Sequence, residues 1–297
     1  MSSSNQVIVY DDSQYRGFAQ TLDVGNYDWG QIHNDTISSL RVPDGMRVTL
    51  YSDTHFQGKS KTFTQDTPYV GDDFNDITSS IIVEGLGGLI KGYWDKTWSP
   101  GNPFTDATLG IAFSGWADLS QALSDSASVK NQLVGDKYIS VGGGNANGRF
   151  DYSKIERIIA VINNGQLSDY KGIAFDIEEC DSGLTQKFRE AFATAKNNHL
   201  QVLVTVSHSA PYGAADAKDL MTAFFADGNI DYLSPQLYTS GNESQNDYTE
   251  SMGVSWTDYA GAKAAMVPSI VQAGLYNDAK NFFQQRGINT KGFIQWA

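Results

Sequence analysis

Residues 172–178 run Gly-Ile-Ala-Phe-Asp-Ile-Glu, a β-branched and aromatic stretch that ends in two carboxylates spaced by two. In an extended strand, residues two apart share a face, so Asp176 and Glu178 are expected side by side at the strand's C-terminal end. In a barrel of parallel strands, that end is where reacting groups collect. Neighbouring carboxylates push each other's pKa values apart, so that one stays protonated as an acid while the other stays ionised. Cleavage of a glycosidic bond is a chemistry that uses such a pair. A strand that merely runs out into solvent can end in the same two residues, so their meaning rests on what surrounds them.

The elements that must position this pair alternate. Apolar runs at 88–93, 107–113, 137–141, 172–178, 201–206, 230–237, 264–270 and 292–296 read as strands. Segments at 152–163, 185–198, 217–227 and 277–286 carry apolar residues at three- and four-residue spacing and read as helices. Eight strands alternating with helices over residues 86–297 fit a compact (β/α)8, or TIM, barrel. The chain stops at Trp296-Ala297, directly after the last strand, so the barrel is expected to lack its eighth helix. An uncovered apolar wall is rare on a soluble monomer. The N-terminal domain or a second copy of the chain, forming a homodimer, is expected to cover it.

The first 84 residues follow a different rule. Tyr10-Asp-Asp12-x-x-Tyr15-x-Gly17 recurs as Tyr51-Ser-Asp53-x-x-Phe56-x-Gly58, and Asn34-Asp35-Thr36-Ile37-Ser38-Ser39 recurs as Asn75-Asp76-Ile77-Thr78-Ser79-Ser80, each at an offset of 41. Several matches at one offset indicate an internal duplication. With short β-branched runs flanking the repeats, we read an all-β double Greek key sandwich of two four-stranded units over residues 5–84, joined to the barrel by the Gly-rich stretch 85–88. This pattern resembles the microbial βγ-crystallin domains that bind calcium. The resemblance implies two Ca2+ sites: one from the Thr36 carbonyl, Ser38 and Asp76, the other from the Ile77 carbonyl, Ser79 and Asp35. Hard oxygen donors of this kind suit Ca2+. Residues 1–84 hold 12 acidic and 5 basic side chains, so more than half of the chain's net charge of −13 sits on its smaller part.

Four strand ends of the barrel resemble the family 18 glycoside hydrolases, which include plant class III chitinases and bacterial endo-N-acetylglucosaminidases. Ser140-Val-Gly142-Gly143 looks like that family's Ser-x-Gly-Gly, Asp176-Ile-Glu178 like the end of its Asp-x-Asp-x-Glu, and Gln236-Leu-Tyr238 like its Gln-x-Tyr, while Trp296 falls where the family places a tryptophan under the sugar. The resemblance implies a retaining, substrate-assisted hydrolase of β-1,4 N-acetylglucosamine linkages in chitin, chitooligosaccharide or the N-glycan core. In it Glu178 is the acid, Asp176 orients the substrate's acetamide and Tyr238 hydrogen-bonds that group. Gln236, Ser140, Gly142, Gly143 and Trp94 support the sugar together with Trp296. Trp98 and Trp116 also follow the first two strands and would suit stacking on flanking sugar rings.

One residue departs from the pattern. The first carboxylate of the family's triplet is Ala174 here. Its loss points toward slower catalysis, or toward a chitinase-like lectin, toxin or defence protein that binds GlcNAc glycans without turnover. A third reading, a calcium-responsive structural protein, leaves the strand-end residues unused.

Composition sets outer bounds. The acidic balance argues against nucleic acid as a partner. No apolar run reaches the length of a membrane span. With Cys180 alone, no intrachain disulfide can form. His33, His55, His199 and His208 show no metal-ligand spacing, which argues against zinc. Residues 1–6 lack a signal-peptide pattern, so location stays open, with extracellular action expected from a glycan substrate and calcium sites.

Overall fold

The computed structural model describes residues 6–43, 45–85, 88–99 and 103–296. The chain divides into two compact units, Met1–Leu89 and Ile90–Ala297. Of the expected joint between them, Leu86 and Gly87 lie outside the described residues.

The first unit is two antiparallel sheets. Strands β1 (Val7–Asp12), β2 (Arg16–Leu22) and β4 (Ser39–Arg41) form one, in the order β2-β1-β4. Strands β3 (Gly25–Tyr27), β5 (Met46–Asp53), β6 (Gln57–Phe63) and β7 (Ser80–Gly85) form the other, in the order β3-β7-β5-β6. Among the described residues seven strands thus stand where eight were expected, and the isolated bridge between Leu40 and Thr67 occupies the remaining place. The core between the sheets includes Val7, Val9, Leu40, Val48, Leu50, Ile81 and Val83, alternate residues of the strands as the pleat requires.

The duplication is visible in the backbone. Left-handed residues recur at the repeat offset: Gln14 and His55, Tyr15 and Phe56, Gly17 and Gly58, Asp35 and Asp76. Glycine is needed at the hairpin because a Cβ on Gly58 would lie 2.4 Å from Ser52 Oγ at a φ of +79°. The second serine of each Ser-Ser pair pins this hairpin. Ser39 Oγ donates to the Asp12 carbonyl at 2.6 Å and accepts from Tyr15 N–H at 3.0 Å. Ser80 Oγ does the same with the Asp53 carbonyl at 2.7 Å and Phe56 N–H at 3.0 Å.

The second unit is one curled sheet of parallel strands. β8 (Ile90–Lys96), β9 (Leu109–Phe113), β10 (Asp136–Gly142), β11 (Gly172–Asp176), β12 (Gln201–Thr205), β13 (Tyr232–Leu233), β14 (Ala265–Met266), β15 (Ser269–Ile270) and β16 (Gly292–Gln295) take the order β14-β13-β12-β11-β10-β9-β8-β16-β15. The two end pieces, β14 and β15, are parts of one run of chain, interrupted at Val267-Pro268. Val267 N–H donates to Leu233 O, and Pro268 O accepts from Ile294 N–H, so the sheet closes on itself as an α/β barrel does. Pro268 has no N–H for the ladder, and Pro235 shortens β13 in the same way, which is why two expected strands are broken.

Helices α1 (Leu119–Lys130), α2 (Tyr152–Asn163), α3 (Thr185–Asn197), α4 (Ala217–Phe225) and α5 (Tyr276–Gln284) lie outside the ring, with a 3-10 turn at Trp256–Gly261 after β13. Among the described residues no helix lies between β8 and β9. Asp118 and Asp151 cap α1 and α2 by accepting from their first backbone N–H groups. No helix of the described residues is long and apolar enough to cross a membrane.

The hairpin clamp generates a test. Ser80→Ala removes a buried oxygen that serves two backbone groups, and should cost the first unit about 1–3 kcal/mol. Ser79→Ala, at the neighbouring half-exposed position, should cost less than about 0.5 kcal/mol without calcium. Denaturant unfolding of the full chain checks both; equal losses would show that Ser80 is not the clamp.

Candidate functional site

Strand β11 aims the carboxylates. Phe175 packs edge-on against Phe192 of α3 at 5.0 Å, which turns Ala174 and Asp176 to the barrel interior. Ala174 lies in the apolar core with Trp94, Ile111, Tyr138 and Leu203. Asp176, the last residue of β11, is 2% exposed just above it. Glu178 lies beyond the strand, not in its pleat, and its carbonyl accepts from Gly213 N–H at 2.9 Å.

Asp176 Oδ1 accepts from Gln236 Nε2 at 3.0 Å. Burial raises the Asp176 pKa well above the ordinary range, and the Glu178 charge raises it further, against the Gln236 bond. Burial also raises Glu178, with Glu179 adding to it; hydrogen bonds from Gln236 and the Gly144 backbone and the nearby His208 work the other way. The two expected carboxylates and Gln236 therefore come together as one coupled group.

The glycines of Ser-x-Gly-Gly act through close approach. A Cβ on Gly142 would lie 2.1 Å from the Asp176 carbonyl, and Gly143 N–H donates to that same carbonyl at 2.9 Å. Ser140 is buried below them, its Oγ donating to Ala112 O at 3.0 Å. These three residues shape the backbone under the carboxylates.

Tyr238 is buried, and its hydroxyl lies 3.0 Å from Ser269 Oγ, which also accepts from Trp94 Nε1 at 3.0 Å. The indole can only donate. When Ser269 in turn gives its proton to Tyr238, the phenol hydrogen is left for an acceptor in the mouth. Trp94 is 1% exposed and reaches the site through Ser269, while its ring belongs to the core. Trp296 lies in tilted contact with Tyr238 at 5.8 Å. Lys96 Nζ stands 4.6 Å from the centre of its ring and donates to its carbonyl, so this floor carries a cation as well as an apolar surface.

Sequence reasoning missed Ser269, Gly144 and His208. Gly144 adjoins the marked Gly143, which is the signal that could have found it; Ser269 falls near the end of the expected strand 264–270, far from any motif. His208 has a left-handed φ of 52°, donates its N–H to Gln236 O and pairs with Asp247 at 3.1 Å; nothing in its spacing announces this.

The first unit carries the second expected constellation. Ser38 Oγ lies 3.3 Å from Asp76 Oδ1, and Ser79 Oγ lies 3.3 Å from Asp35 Oδ1, so each repeat reaches into the other as the motif implied. Asn34 and Asn75 each donate at 2.7 Å to the other oxygen of the adjacent Asp35 and Asp76. Thr36 and Ile77 stand between these groups at equivalent positions, with the Thr36 hydroxyl turned to Asp11 and Ile77 packed on the core. Among the described residues no group of three or more His, Cys, Asp or Glu side chains is placed to hold a metal. The sites implied here would instead combine one carboxylate with hydroxyl and carbonyl oxygens, a donor set that fits a hard cation.

No family model matches the chain, and no curated protein matches it. The N-terminal region matches βγ-crystallin domains of known structure. These include a double mutant of the Clostridium beijerinckii domain (41% identity, 27% of this chain, 97% of that one, TM-score 0.27). Others are a Flavobacterium johnsoniae domain (36%, 27%, 96%, 0.27) and the N-terminal domain of Protein S (30%, 27%, 97%, 0.26).

The raised Asp176 pKa fixes a sign. The folded state binds this proton more tightly than the unfolded state does, so its contribution is complete below the ordinary carboxylate pKa and is lost as pH rises through the raised value. Asp176→Asn keeps an oxygen for Gln236 and removes the charge. At pH 7–8 it should melt higher than wild type, by about 2–4 °C for each kcal/mol recovered, and the gain should vanish below about pH 4. A difference independent of pH would contradict the assignment.

Proposed function

We propose that the barrel hydrolyses β-1,4 linkages of N-acetylglucosamine glycans by a retaining, substrate-assisted mechanism, and that the first unit is a calcium-binding accessory domain with paired Greek key motifs. The observation that carries this reading is buried Asp176 beside half-buried Glu178, with Gln236 donating to Asp176 at the strand ends and Tyr238 nearby. Apart from Ala174, the residue types and their order along the chain resemble the family 18 motifs.

Glu178 gives its proton to the glycosidic oxygen as the bond from that oxygen to the anomeric carbon breaks. The substrate's acetamide oxygen forms the new bond to that carbon, held by the Tyr238 hydroxyl, while Asp176 accepts from the acetamide N–H. Water then attacks the same carbon as its bond to the acetamide oxygen breaks, the water's proton passes to Glu178, and the configuration is retained. Trp296 supports the reacting ring.

Ala174 favours a second reading, a chitinase-like lectin or defence protein that holds the same glycan with little or no turnover. It is fully buried in apolar surroundings, so no carboxylate below Asp176 shares its proton.

Glu178→Gln separates the readings. It keeps the shape but cannot donate, so turnover should fall by ~10²–10⁴-fold while oligosaccharide binding persists. A wild type that binds chitooligosaccharides and N-glycans but cleaves neither would select the lectin. Equal rates for both proteins on a cleaved substrate would remove Glu178 as the acid.

For the first unit, Ca2+ held by Ser38, Asp76 and the Thr36 carbonyl, and by Ser79, Asp35 and the Ile77 carbonyl, should stabilise the folded form. The gain is about 2.7 kcal/mol per site at a hundredfold excess over the dissociation constant. Calorimetry with calcium and with chelator checks this. An Asp35→Asn, Asp76→Asn double variant should lose the response, and a wild type with no response would end the calcium reading.

A further inference from the structure

Tyr212 lies outside every motif, yet its surroundings are built. The residue is 51% exposed, but it is not loose. The phenol donates to Glu179 Oε1 at 2.8 Å, and the backbone N–H donates to Ser207 Oγ at 3.1 Å. Glu179 is itself held, 3.6 Å from Arg149, which also pairs with Asp181 at 2.9 Å. Next to Tyr212, Gly213 packs so closely on Glu179 that a Cβ would lie 2.4 Å from its Cγ, and Gly213 N–H bonds the Glu178 carbonyl. Ring and acid are thus fixed by one backbone junction.

The order of strands places this ring. With β14 and β15 counted as one, β8 and β12 stand four places apart in a ring of eight, on opposite sides of the mouth. Tyr212 follows β12. Trp98 follows β8, is 60% exposed, and packs on Phe113 at 5.5 Å, which packs on Trp296 at 5.5 Å. The carboxylates, Gln236 and Tyr238 come from the strand ends between them. An exposed tyrosine fixed by its own hydroxyl offers a flat face at little entropic cost. Such a face fits the C–H surface of a pyranose ring.

We infer that Tyr212 is a stacking residue for a sugar bound beside Glu178, on the side of the mouth opposite Trp98, so that the mouth takes an internal stretch of a glycan chain rather than only its end. This rests on the GlcNAc-glycan reading of the barrel, but not on turnover.

The test uses the full chain in the Glu178→Gln background, with chitohexaose and N,N′-diacetylchitobiose as calorimetric probes. Tyr212→Ala should weaken chitohexaose by about tenfold, the size of one aromatic contact, and leave chitobiose within about twofold. Tyr212→Phe, which keeps the ring, should stay within about threefold of the parent, and unchanged thermal melting shows that the variants fold. Undiminished chitohexaose binding by Tyr212→Ala, or equal losses in Ala and Phe, overturns the stacking role alone. Failure of both probes to bind the parent and the wild type overturns the glycan reading and this subsite with it.

Discussion

The barrel's candidate chemistry depends on keeping a carboxylate out of water. Asp176 sits where a strand ends inside a closed ring, and the glycines of β10 bring backbone against its carbonyl. A group buried this way resists ionisation unless donors reach it. Gln236 is one such donor, and its backbone is held in place by parallel bridges to Ser207 on one side and Ser269 on the other. The same constraint explains why Tyr238, Ser269 and Trp94 form a bonded row beside it: each buried polar atom there has a partner in the next.

The first unit depends on a different constraint, a left-handed hairpin made twice. Non-glycine residues at positive φ are costly, and Tyr15 and Phe56 adopt it only because a serine from the end of the repeat holds them. That requirement separates the two serines of each pair by role. Ser39 and Ser80 face inward and clamp; Ser38 and Ser79 face the aspartate of the other repeat. The motif survives in both copies because fold and candidate site use adjacent atoms of one short segment.

The repeat offset, the barrel's strand order and the grouping of Asp176, Glu178, Gln236 and Tyr238 were all legible in the sequence. The first two follow from short-range pattern, the fixed repeat offset and the alternation of period two with period near four; the grouping was what the resemblance of the strand-end motifs implied. What was not legible came from single residues that act over long range. Proline at 268 split one strand, and the run 172–178 stopped at Asp176 because the chain turns to meet Gly213. The expected strand in the first unit shrank to one bridge at Thr67. Ser269, His208 and the Lys96 ammonium over Trp296 belong to strands far apart in sequence, and no spacing rule connects them.

Ala174 sharpens the question of which carboxylate holds the proton. The proposed hydrolysis needs it on Glu178, with Asp176 ionised. Burial acts on both, but Asp176 is the deeper, and the ionised neighbour penalises it further. In the free protein burial therefore works against the ionised Asp176 that the proposed reaction requires. A carboxylate at 174 would offer that proton another home; alanine in an apolar layer cannot. What remains is the ligand itself. An acetamide N–H donating to Asp176, and the positive charge that develops on the sugar ring, both favour ionised Asp176 and push the proton to Glu178. On the proposed hydrolytic reading, a seated N-acetylated sugar would be what makes the pair a competent acid. Selectivity for the acetamide would then reside in the proton's position as well as in the shape of the pocket.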